Sequence, residues 1–166
     1  DTLLNPTGNG MMGVVTIPAI DVELPIYHGT QSLELGALHL QGTSLPVGGA
    51  STHCVISAHS GMSSEIMFTE DAGGASTNAV IGAHRGWGGE DFLRNVEDVQ
   101  CGDEVMITNY WETLHYTVAE IKIIRPNEIS QVLIQPTRDL LTIFTCHPYA
   151  SGGQYRYLLI CERSNI

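Results

Sequence analysis

With 166 residues, 43% of them hydrophobic and 15% charged, the chain is too apolar to be disordered and long enough for one domain with its own core. Seven Lys and Arg stand against eighteen Asp and Glu, a formal net charge of −11 that argues against a nucleic-acid binder or a polybasic membrane-surface protein. No apolar run is long enough to span a bilayer, and Asp1 opens on a polar, turn-rich stretch rather than a signal peptide; the expectation is a trimmed or mature form whose anchor lay beyond one end.

Eighteen glycines and seven prolines punctuate short apolar runs, which favours strands and turns. In chain order the expected strands are Met12 to Ile17, Val22 to Tyr27, Cys54 to Ala58, Ala79 to Ala83, Glu104 to Thr108, Leu114 to Ile124, Leu140 to Thr145 and Tyr155 to Cys161. Two helical segments are expected. Ser32 to Leu38 could make one or two turns, and Glu90 to Val99 sets Phe92, Leu93, Val96 and Val99 on one face before the Gly102-Asp103 stop. Many short strands with few helices predict an all-β fold and a closed barrel, built as one domain over residues 1–166.

An internal repeat interrupts this pattern. Gly48-Gly49-Ala50-Ser51-Thr52-His53-Cys54-Val55-Ile56-Ser57-Ala58-His59-Ser60-Gly61 returns as Gly73-Gly74-Ala75-Ser76-Thr77-Asn78-Ala79-Val80-Ile81-Gly82-Ala83-His84-Arg85-Gly86, at an offset of 73 − 48 = 25 residues. Each copy reads as a turn, a short strand and a histidine at its end. Two copies are too few for a solenoid, so residues 50–75 are read as a local duplication or an inserted hairpin.

The cysteines Cys54, Cys101, Cys146 and Cys161 form no CxxC pair and are too sparse for a disulfide scaffold. A buried, inert role is the default for a cysteine ending an apolar strand, and it stands for Cys54, Cys101 and Cys161. Around Cys146 the context differs. Leu141-Thr142-Ile143-Phe144-Thr145-Cys146-His147-Pro148-Tyr149 ends a strand on a thiol, and the next strand begins at Arg156, within reach of it. A strand end is a rigid mount from which a sulfur can be aimed into a groove. His147 follows directly but points to the opposite face, which makes it a poor base for that thiol. His28, His39, His53 and His115 are read as surface or hydrogen-bonded residues, and Trp87 as either packing or groove lining.

Thr145-Cys146 followed by Arg156 resembles the signature of the sortases. The resemblance extends to Leu3-Leu4-Asn5-Pro6-Thr7-Gly8, Leu24-Pro25-Ile26-Tyr27-His28-Gly29-Thr30, His39-Leu40-Gln41-Gly42-Thr43-Ser44-Leu45-Pro46-Val47-Gly48-Gly49, Ala83-His84-Arg85-Gly86 and Gly102-Asp103. It covers the chain except the repeat, and is most like class C, the pilin-polymerising sortases. It implies an eight-stranded barrel and a cysteine transpeptidase without cofactor or catalytic metal. Cys146 would attack the Thr carbonyl of an LPXTG-like sorting signal, forming a thioester acyl-enzyme that an amine resolves. The amine would come from a pilin lysine or, in a housekeeping sortase, from a cell-wall precursor.

The same resemblance implies a histidine that moves protons and an arginine, Arg156, that supports the oxyanion or the substrate backbone. Two histidines compete. His84 lies 146 − 84 = 62 residues before the cysteine, close to the family spacing, and is followed by the expected helix and Gly-Asp turn. His59 lies 146 − 59 = 87 residues before it, but follows the more typical upstream run Leu45-Pro46-Val47-Gly48-Gly49. The resemblance further implies a full-length protein anchored at the outer membrane face of a Gram-positive bacterium. A class C groove lid is expected upstream of Leu3, since no Asp-aromatic anchor precedes it here.

Three rivals bear weighing. A papain-like enzyme places its cysteine early, at a helix start, and its histidine later; the order here is reversed. An inactive peptide-binding surface module would keep the barrel but form no covalent adduct. A metal enzyme would need tight ligand spacing, which these His and Cys residues lack.

Overall fold

A computed structural model describes residues 4–6, 8–28, 35–39, 43–57, 92–128, 130, 133, 135–149 and 154–164. Eight strands carry the fold: β1 (Met11–Ile17), β2 (Val22–His28), β3 (Ala37–His39), β4 (Thr52–Ser57), β5 (Glu104–Thr108), β6 (Thr113–Ile124), β7 (Asp139–His147) and β8 (Tyr155–Arg163). They close into a barrel in the order β1-β2-β3-β4-β7-β8-β6-β5. The pairings β2–β3 and β4–β7 are parallel and the rest antiparallel. Closure leaves no open sheet edge to template aggregation.

Two patterns of side chains explain how the strands are used. Along β6, buried Leu114, Tyr116 and Val118 alternate with Thr113, His115 and Thr117, so one face meets the core and the other meets water. Along β7 every residue from Leu140 to Cys146 is buried, because this wall of the barrel is covered on both faces. Its inner face adds Leu141 and Ile143 to the main core, alongside Val15, Ile26, Ile56 and Leu159. Its outer face forms a second cluster in which Leu140 and Phe144 meet Val55, Leu158 and Ile160, with Ile124 packed against them. Each such side chain contributes about 1.5–3 kcal/mol on burial. The outer cluster thus fixes the β4-β7-β8 wall.

The all-β barrel agrees with the sequence reading, with two corrections. Ser32 to Leu38 was expected to be helical, yet its last residues belong to β3, a strand of three residues held between the ladders of β2 and β4. Gly36 precedes it because a Cβ there would collide with the Pro25 backbone carbonyl. Glu90 to Val99 is not a helix either. Turns over 92–95 lead into a single 3-10 turn, Val96–Asp98, after which Val99 is extended at ψ 138°. Leu93, Val96 and Val99 are nonetheless buried as their spacing required. The expected strand Ala79 to Ala83 lies outside the described residues; the repeat's first copy supplies β4.

Candidate active site

β7 and β8 meet in register from Leu140 opposite Glu162 to His147 opposite Tyr155, and this ladder sets Cys146 directly across from Arg156. Side chains of such a pair leave the sheet on the same face, with Cβ atoms about 4.5–5.5 Å apart. The register of β8 on β6 places Ile124 on the other side of Arg156. By strand alternation Cys146 and Arg156 share the outer face with Phe144 and Leu158, so apolar side chains border them from below. Cys146 is 8% exposed and Arg156 7%, whereas the neighbouring Tyr149 and Tyr155 are 43% and 39% exposed. The thiol and the guanidinium therefore sit just below the barrel rim. Nη1 of Arg156 donates to the Tyr155 carbonyl at 3.1 Å, which anchors one arm of the fork.

The alternation that sends Cys146 outward sends His147 to the other face. Its ring lies 5.6 Å from that of Tyr157, and Nδ1 is 3.1 Å from Glu97 Oε1. Arg94 adds a second tie, its guanidinium carbon 5.3 Å from the centre of the Tyr149 ring. Together these contacts brace the segment 92–98 against the chain leaving Cys146. The sequence reading did not anticipate this bracing. Arg94 and Glu97 carry no motif, and their partners lie 55 and 50 residues away along the chain (149 − 94 and 147 − 97).

None of the four cysteines is in a disulfide. Cys54 and Cys161 are wholly buried, and burial, reinforced for Cys54 by the Asp139 carboxylate, pushes both thiols far up. A thiol held protonated is a poor nucleophile. Cys101 is exposed, on the turn before β5, away from the Cys146–Arg156 pair in the ladder order. Among the described residues no cluster of three His, Cys, Asp or Glu is arranged to hold a metal ion.

His84 and His59, the two candidates for the proton-moving histidine, both lie outside the described residues, as does Trp87. Of the predicted site residues, then, Cys146 and Arg156 are brought together. The other histidines have assigned places. His53 is buried, with Nε2 2.7 Å from Thr142 Oγ1 and Nδ1 2.9 Å from the Leu133 carbonyl oxygen. His39 is buried with Nε2 2.9 Å from the Ser44 carbonyl oxygen, and His28 stacks on it at 5.7 Å. His115 lies 2.7 Å from Glu104.

At the opposite end of β7, Asp139 organises the entry to β4. Its Oδ2 accepts from the Gly49 N–H at 2.6 Å, and its Oδ1 lies 3.2 Å from the hydroxyls of Thr52 and Tyr116. Gly48 and Gly49 have φ of 65° and 129°, and a Cβ on Gly48 would press on both Arg163 and Asp139 at 3.1 Å. Ser51 accepts the Thr137 N–H at 3.0 Å. The Gly-Gly-Ala-Ser-Thr run of the repeat is thus a turn read by a carboxylate, a role that its composition alone did not announce.

Three comparisons bear on this arrangement. The family model described as the sortase domain matches residues 65–164. Sortase D of Bacillus subtilis (strain 168) is 23% identical over 155 residues, covering 91% of this chain and 63% of that protein, so the chain spans less than two thirds of this curated relative. Among solved structures, sortase C of Streptococcus pneumoniae, described in connection with pilin substrate specificity, is similar at a TM-score of 0.77 and 32% identity, over 95% of this chain and 70% of that one. A lid mutant of sortase A from Corynebacterium diphtheriae reaches 0.79 at 33% identity, over 99% and 77%.

Proposed function

This chain belongs to the sortase family of cysteine transpeptidases, and from that premise we propose that residues 1–166 act as one catalytic domain in which Cys146, His84 and Arg156 carry acyl transfer. The observation that carries the reading is the ladder pairing of Cys146 with Arg156 on the outer face of the barrel wall. A thiol and a permanent cation facing one another at a rim suit a reaction that builds negative charge on a carbonyl oxygen beside the sulfur.

The steps balance as follows. The Cys146 thiolate attacks the Thr carbonyl of an LPXTG-like signal, and Arg156 donates to the oxygen as it gains charge. The C–N bond breaks, and the protonated imidazole of His84 gives its proton to the leaving amine, which leaves a thioester. An incoming primary amine then attacks the thioester, passes a proton to the imidazole, and releases the thiolate. The choice of His84 is supported by the family match, which contains the repeat's second copy and not its first.

The acceptor is proposed to be a pilin lysine, on the strength of the similarity to sortase C of Streptococcus pneumoniae. On that reading the protein works in pilus assembly at the outer face of a Gram-positive membrane, anchored by a segment outside this chain. Among the described residues no helix is long and apolar enough to cross a membrane. Incubation with an LPXTG-like peptide and, in parallel, a lysine-containing pilin peptide or a cell-wall precursor amine tests the reading by mass spectrometry. An acyl adduct on Cys146 and a joined peptide are expected. Peptide binding with no adduct would instead assign an inactive recognition module, and joining to cell-wall precursor alone a housekeeping role.

A further inference from the structure

Cys146 and Arg156 face each other one step from the end of their ladder. A single further pair, His147 opposite Tyr155, lies beyond them. On the other side of β7, the ladder to β4 ends among the described residues at Ser57 opposite Phe144. The ends of strands open locally at little cost in free energy. Opening here would disturb both members of the site. His147 carries on directly from Cys146, and the Tyr155 carbonyl is the group to which Arg156 Nη1 donates at 3.1 Å.

The segment 92–98 supplies two arms that reach this end. It is itself firmly seated. Leu93, Val96 and Val99 are buried in the inner core, and tight turns run through it: the Val96 N–H donates to the Leu93 carbonyl, that of Asp98 to Asn95, and that of Val99 to Val96. Downstream, Asp103 Oδ2 accepts the Gln100 N–H at 2.8 Å and closes the turn into β5. The three-residue spacing that turns Leu93 and Val96 inward leaves Arg94 and Glu97 exposed. Glu97 Oε1 lies 3.1 Å from His147 Nδ1, and the His147 ring lies 5.6 Å from that of Tyr157 on β8. The Arg94 guanidinium lies 5.3 Å from the centre of the Tyr149 ring, within the range of a cation–π attraction. The arms thus grip the chain on both sides of Pro148, just after the nucleophile.

We propose that Glu97 and Arg94 are positioning residues for acyl transfer. By holding His147 and Tyr149 they keep the last β7–β8 pair closed, and with it the facing of Cys146 and Arg156. The magnitudes suit this role better than a role in overall stability. The Glu97 and His147 side chains are 48% and 18% exposed, and an ion pair so open to solvent adds little to global stability. The same small contribution matters at a strand end, where closing and opening are nearly balanced. The effect on rate rests on the proposed function; the closing of the ladder end does not.

Glu97→Gln and Arg94→Leu, singly and together, test the proposal. The double variant is expected to lower kcat for peptide joining by about tenfold, with the KM of the donor peptide changed less than about twofold, because only the aim of the reacting pair is lost. Its urea midpoint should stay that of the parent. Hydrogen exchange at the backbone amides of 145–147 and 155–157 should quicken by roughly threefold or more. Arg94→Lys, which keeps a cation over the ring, should restore most of the Arg94→Leu loss. In a His147→Gln background Glu97→Gln should cost nothing further, and in a Tyr149→Leu background Arg94→Leu should cost nothing further. An unchanged kcat in the double variant, a midpoint that falls in step with kcat, or a full further loss in the partner-deleted backgrounds would overturn the proposal. Should exchange at the ladder end quicken as expected while the parent protein joins no peptide, the grip on β7 stands and the catalytic reading fails.

Discussion

The two ends of β7 handle polar side chains in opposite ways. At Asp139 the carboxylate is consumed by the protein's own groups: an N–H from Gly49 and the nearby hydroxyls of Thr52 and Tyr116. At Cys146 a thiol and a guanidinium face each other across the ladder on the apolar outer wall, at the rim. The first arrangement stabilises a turn and fixes where β4 begins. At the second, burying a cation costs free energy that hydrophobic packing does not. One end of the strand serves folding; on the proposed function the other serves a reacting molecule.

The sharpest way to break this comparison is at the rim. Cys146→Ala is expected to lower peptide-joining rates by more than about 10³-fold while leaving the urea midpoint nearly unchanged. Arg156→Lys keeps the charge and removes the fork, and is expected to cost about 10²-fold in kcat. A midpoint that fell in step with activity would mean that the pair is structural after all. At the other end the outcome should invert. Asp139→Ala leaves the Gly49 N–H without its acceptor and loosens the β4 entry, at a cost of about 2 kcal/mol in stability. Activity per folded molecule, measured by active-site titration with a thiol reagent, should be unchanged.

Between the two ends lies a buried imidazole whose titration offers a gentler test. Burial holds the rings of His53 and His39 below the ordinary value of 6.5. The folded state therefore binds fewer protons than the unfolded state in the window below 6.5. Stability is complete above that window and falls as the pH is lowered through it. Urea midpoints at pH 7.5 and 5.5 should show the loss, and His53→Asn, which writes the second copy's residue into β4, should reduce it. An equal loss in the variant would assign the whole dependence to His39 and other groups.

The strands that the sequence announced are those with long ladders. β6 alternates because one face is wet, β7 is buried throughout and mostly apolar because neither is, and both patterns are visible in the residues themselves. β3 was hidden because three residues carry no period; its strand character comes from β2 and β4 on either side. The 92–99 segment misled for a related reason. Burial of Leu93, Val96 and Val99 produces helical spacing whether the backbone makes a helix or a chain of turns, and no side chain caps an N-terminus there. Cys146 and Arg156 were legible because one short connection separates their strands, which makes the pairing nearly local. The parallel β4–β7 pairing was not, since its partners lie 87 residues apart (139 − 52). The histidine stayed ambiguous because two copies with the same entry residues and the same apolar anchors read alike.

The smallest expected effect lies one residue before Asp139. Arg138 makes two bonds of 3.1 Å to the Glu162 carboxylate, and its Nη1 also donates to Gln135 at 2.6 Å. The Arg138 hydrogen bonds hold the Glu162 carboxyl below its ordinary value of 4.5. A depressed folded value means that the stabilisation is present above the unfolded value and is lost as pH falls through the folded one. Because the pair is half in solvent, Arg138→Ala should cost less than about 1 kcal/mol at pH 7 in low salt. The cost should shrink in 0.5 M salt, at a screening length of about 4 Å, and vanish once the pH has fallen below the lowered folded value and Glu162 is neutral. A cost that survived both conditions would belong to the Arg138 stem packing on the sheet, and the polar end of β7 would then owe its order to Asp139 and to apolar contact rather than to ion pairing.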